Sequence, residues 1–123
     1  MIALDFGNCC FNGTLENYIM IVIAPKTDFA SKDAFLDGAI QFLNADESSN
    51  FYDEEYEEYY RERSYEPFDI NIDSDFRDMS QRVGFLHEPV LQAFAVGKDE
   101  WNDWSAILET KSEYILYRWA TSA

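Results

Sequence analysis

The chain has 123 residues, 47% of them hydrophobic and 17% aromatic, and carries a formal charge of −15. That length suits one domain around one core, and so apolar and ring-rich a composition excludes intrinsic disorder. A field of that sign repels nucleic-acid phosphates and anionic lipid headgroups, which excludes both as direct partners.

The start, MIALDFGNCC, has no basic segment followed by a continuous apolar one, and no apolar run approaches the ~20 residues of a membrane span. These features predict a cytoplasmic protein. Cys9 and Cys10 are adjacent, and a disulfide between neighbours closes a strained ring, so they read as reduced thiols in or near a strand.

Residues 2–11 and 14–24 are apolar and β-prone, and they flank Asn12-Gly13, a dipeptide suited to a type I′ turn. An N-terminal hairpin is predicted. Its second arm, YIMIVIA at 18–24, is almost continuously apolar, which suits a central strand buried on both faces and ended by Pro25. From Ser31 the period changes: Phe35, Leu36, Ala39, Ile40 and Leu43 recur at helical spacing, giving an amphipathic helix over about 31–44 with Ser31 as N-cap. NADESSN at 44–50 reads as a polar loop.

Next comes FYDEEYEEYYRER at 51–63, four tyrosines among five acids before the first arginine. As a helix, its 100° step collects Tyr52, Tyr56, Tyr59, Tyr60 and Arg63 on one stripe and spreads Asp53, Glu54, Glu57, Glu58 and Glu62 around the rest. Glu54 with Glu58 and Glu58 with Glu62 are like-charge pairs four residues apart, and Glu57 with Arg61 is the favourable one. From Asp46 to Asp78 there are 13 acids against three arginines, a net of −10, which leaves −5 for the other 90 residues. The charge is therefore concentrated, as a site would be.

FDINIDSD at 68–75 alternates, with Phe68, Ile70 and Ile72 on one side and Asp69, Asn71 and Asp73 on the other, the pattern of a half-buried strand. A weak helical piece follows near 75–82. PVLQAFAV at 89–96 reads as a strand, residues 99–108 as a short helix capped by Asp99 with Trp101, Trp104 and Leu108 facing inward, and EYILYRWA at 113–120 as a final strand. Together the elements predict one α+β domain over 1–123, a mainly antiparallel sheet of about four to five strands with helices packed on one face.

No catalytic signature stands out. The run Asp69, Asn71, Asp73, Asp75 resembles a calcium loop, but an EF-hand needs Gly and Glu where this chain has Ser74 and Ser80. His87 is the single histidine and has no companions at zinc-ligand spacing, GxSxG is absent, and the five glycines are scattered. Among 24 acids, carboxylate pairs select nothing. Neither enzymatic activity, nor a cofactor, nor a metal is expected.

Tyrosine gives large contact area at low entropic cost, and clustered charge speeds encounter with an opposite patch, so the mixture suits an interface for a basic protein. The expected partner-binding residues are Asp53, Glu54, Tyr56, Glu57, Glu58, Tyr59, Tyr60, Glu62, Asp69, Asp73 and Asp75. The competing reading makes the tyrosines the buried stripe of a surface helix and the acids its solvated face. This small acidic α+β chain, ending in ETKSEYILYRWATSA after DEWNDW, resembles the immunity proteins of bacterial polymorphic toxin and contact-dependent inhibition systems. The resemblance implies a cytoplasmic inhibitor of one cognate toxin domain, often a nuclease, and carries no residue roles. Two alternatives stand beside it: a phage-type DNA mimic acting against restriction or CRISPR enzymes, with acids repeated at about 7 Å along much of the chain, and a small carboxylate-dependent enzyme.

Overall fold

The apolar arms either side of Asn12-Gly13 pair as the sequence predicts, although the turn itself falls outside the residues described. The computed structural model describes residues 1–9, 17–45, 60, 63–100 and 103–121. Their elements are β1 (Ile2–Cys9), β2 (Asn17–Pro25), α1 (Lys32–Asn44), β3 (Glu66–Pro67), α2 (Ser74–Val83), β4 (Gln92–Glu100), β5 (Asp103–Glu109) and β6 (Glu113–Thr121), with 3-10 turns at Lys26–Asp28 and Ile70–Ile72. The fold is α+β. Its six strands form one sheet ordered β1-β2-β6-β5-β4-β3, antiparallel at every step. The sheet thus joins an N-terminal hairpin to a C-terminal meander through β2 and β6, which pair from Asn17↔Thr121 to Pro25↔Glu113.

The sequence of β2 explains the layering. Successive side chains of a strand point to opposite faces. Met20, Val22 and Ala24 pack with Phe35, Leu36, Ala39, Ile40 and Leu43 of α1, whereas Ile19, Ile21 and Ile23 pack with Phe76 and Met79 of α2. Both sets are buried, and each aliphatic side chain removed from water contributes on the order of 2 kcal/mol. The expectation that the helices share one face is therefore corrected: α1 and α2 cover opposite faces, because a strand apolar on both sides needs a cover on each.

Helix α1 starts where predicted, with the Ser31 hydroxyl accepting the Ala34 N–H at 3.1 Å. Three other expectations are revised. The strand expected at 68–75 is a 3-10 turn followed by the first residues of α2, and its isoleucines part company: Ile70 is 1% exposed and Ile72 76%. The aspartates cause this, since a short carboxylate that binds a nearby backbone N–H competes with the sheet ladder. Helix α2 itself extends the weak helical piece and ends on Gly84 at φ 68°, the left-handed cap glycine favours.

The helix expected at 99–108 is, in its described part, the end of β4 at Glu100 and then strand β5, which β4 and β6 pair on both sides. Trp104 and Leu108 share a face in either structure, because a spacing of four suits one helical turn and two strand repeats alike. Finally, β3 is two residues long and β5 replaces a helix, so the sheet has six strands instead of four or five. No helix among the described residues is long and apolar enough to cross a membrane.

Candidate partner-binding surface

Of the eleven expected contact residues, Tyr60, Asp69, Asp73 and Asp75 fall among the described residues. Asp53, Glu54, Tyr56, Glu57, Glu58, Tyr59 and Glu62 lie outside them, as does the predicted 51–63 helix apart from the residues Tyr60 and Arg63. Tyr60 is 1% exposed, packed in the cluster under α1, and burial pushes its hydroxyl up to about 12 against the opposing charge of Arg118 and a bond with Ser105. In the folded chain this ring therefore belongs to the core and not to an exposed surface.

The chain is then fastened to α1. The Arg63 guanidinium donates to the Asp33 carboxylate at 3.2 Å, pairs with Asp37, and donates through Nε to the Tyr60 carbonyl at 3.2 Å. Burial disfavours the Arg63 charge, but its bonds to Asp37 and Asp33 outweigh that and hold the guanidinium above its ordinary value. The Tyr65 hydroxyl donates to the same Asp33 carboxylate, and this bond, then Arg63, holds Asp33 below the usual carboxylate range. Lys32 completes the group, with Nζ 5.1 Å from the Tyr65 ring centroid and 4.8 Å from that of Phe94.

At β3 the chain passes the sheet edge to the α2 side, where the three aspartates do local work. Asp69 Oδ1 accepts the Asn71 N–H at 3.0 Å, Asp73 Oδ2 accepts the Phe76 N–H at 2.8 Å as N-cap of α2, and Asp75 Oδ2 accepts the Trp119 indole N–H at 2.9 Å. Asp73 is half-buried, and burial raises its carboxyl, with the neighbouring charge of Asp75 adding to the effect. Tyr60 and these aspartates therefore belong to opposite faces of the sheet and form no single surface.

What the α2 side does hold is a groove. Two cavities of about 520 and 430 Å³ adjoin along Pro67 and Phe68: the first runs between 67–71 and 90–94, the second is closed by Glu66, Ile72, Asp73, Ala95, Val96, Trp104 and Ser105. Phe68 meets Trp104 edge-on at 6.1 Å between centroids. Ala93 and Ala95, too short to fill the space over β4, leave it open, and Leu91 and Ile72 stand 64% and 76% exposed beside it. Among the described residues the charged side chains lining the groove are Glu66, Asp69 and Asp73, all acidic. Sequence reasoning assigned Phe68 and Trp104 to the core and missed this recess, whose signal was two small residues, Ala93 and Ala95, at alternate positions of a strand.

Other polar groups are structural. Arg118 pairs with Asp103 at 3.1 Å across β5 and β6, Glu88 binds Thr110 and Ser112 in the β5–β6 turn, and His87 meets Glu113 at 3.2 Å on the surface. Among the described residues no three His, Cys, Asp or Glu side chains are grouped to hold a metal ion. No family model matches the chain, and neither a curated protein nor a solved structure matches it.

Proposed function

We propose that the protein is an acidic inhibitor that binds and neutralises a basic partner protein, in the manner of an immunity protein acting on a cognate toxin domain. The observation that carries the reading is the concentration of charge, −10 within residues 46–78. The groove lined by Glu66, Asp69 and Asp73 adds an acid-rimmed recess within that same stretch of chain. A partner that itself binds nucleic acid presents the cationic surface such a region attracts, and covering that surface blocks the partner's own substrate.

The test is capture from lysate of the native host at low salt, elution with a salt gradient and mass spectrometry, followed by assay of the captured protein. A variant carrying Asp53→Lys, Glu54→Lys, Glu57→Lys and Glu58→Lys is the control. One basic protein, lost from the variant and inhibited by the native chain, is the expected result. Recovery of the same proteins with both baits contradicts it.

One observation favours the carboxylate-enzyme reading as runner-up: Asp73, with its raised carboxyl, lines a cavity beside Trp104. In that case small-molecule turnover disappears with Asp73→Asn. The DNA-mimic reading is less favoured, because Asp69, Asp73 and Asp75 are engaged in capping and indole bonds instead of arrayed along a strand.

A further inference from the structure

Resting on the inhibitor reading, we infer that the groove beside β3 receives an arginine side chain carried by an extended segment of the basic partner, with an aliphatic neighbour of that arginine against Leu91 or Ile72. Three features of the groove select this occupant. Among the described residues its charged lining is acidic, Glu66, Asp69 and Asp73, which favours a cation over an anion. Within the second cavity a carboxylate, Asp73, and an indole, Trp104, border the same space of about 430 Å³. A planar guanidinium engages both, stacking on an aromatic face and donating paired hydrogen bonds to a carboxylate, whereas an ammonium lacks the planar fork. The third feature is the apolar mouth: Ile72 and Leu91 are 76% and 64% exposed, more than a site for a free cation requires.

The segment is extended because the groove follows a sheet edge. Strand β3 covers Phe94 and Ala95 of β4, the Phe68 N–H bonds the Ala93 carbonyl at 3.1 Å, and Pro67 has no N–H to give. So short an edge strand leaves a recess running alongside it in which a linear peptide fits better than a helix.

The probe is the peptide acetyl-Gly-Leu-Arg-Leu-Gly-amide, titrated into the isotope-labelled full chain and followed by NMR, with a citrulline peptide of the same shape as the neutral comparison. Saturable shifts at the Trp104 indole and the Asp73 and Ala95 amides are expected, at least tenfold weaker for citrulline. Asp73→Asn keeps a capping side chain and removes the charge, and Ile72→Lys alters an exposed position; both should weaken the arginine peptide at least fivefold while the fold persists. Equal binding of the two peptides, shifts scattered over all surface acids, or full affinity in both variants overturns the assignment. Because the titration involves no partner protein, such a failure removes the groove while partner capture still decides the inhibitor reading.

Discussion

Asp73 shows how one residue serves the fold at an electrostatic cost. Its side chain caps α2 while burial and Asp75 raise its carboxyl. A raised folded value means that the folded state keeps the proton to higher pH than the unfolded chain does. Stability therefore falls as pH rises from the ordinary aspartate value through the raised one. Asp73→Asn should abolish this dependence and leave stability near neutral pH unchanged or improved, whereas Asp73→Ala should lose about 1 kcal/mol with the cap, both read from urea midpoints across pH. Tyr60 makes the complementary point. Nothing in FYDEEYEEYYRER distinguishes a ring that lies inward from one that greets a partner, since the helical spacing predicts the same stripe for both. Its burial predicts a loss of about 3–5 kcal/mol for Tyr60→Ala, as for other large aromatic truncations, by denaturant unfolding.

Elements were legible where a pattern admitted one structure. The Ser31 cap, the helical spacing of α1 and the continuous apolar run of β2 each did, and all three appear at their expected places. The segments 68–75 and 99–108 did not, the first because its aspartates bond locally, the second because a spacing of four fits both periods. Backbone chemical shifts of residues 103–109 should be strand-like, with amide exchange slowed by partners on both sides; helical shifts would contradict the assignment. The clamp of Arg63 and Tyr65 on α1 is also an element-scale feature. Asp33 is lowered by it, so its contribution is present above the ordinary aspartate value and is lost as pH falls through the lowered one. As the Asp33 carboxylate is exposed and the guanidinium partly so, Arg63→Ala should cost about 1 kcal/mol, and less at high salt.

For the molecule as a whole, composition foretold a folded, strongly acidic chain and the element pattern an α+β fold, and the structure adds that α1 and α2 cover opposite faces of the sheet. The alternating Ala93 and Ala95 were the groove's one sequence signal and were not enough to place it, because it depends also on β3 being two residues long. A chain of charge −15 repels itself, so its thermal midpoint should rise when salt is raised from about 0.02 to 0.2 M, where screening shortens from roughly 20 Å to under 10 Å. If concentrated acidity recruits a basic protein, the association rate with the captured partner should depend steeply on ionic strength. The rate for the native chain should fall at least tenfold over that salt range, and that for the variant with Asp53→Lys, Glu54→Lys, Glu57→Lys and Glu58→Lys should be slower and nearly flat. Equal rates and equal slopes for the two proteins would contradict it.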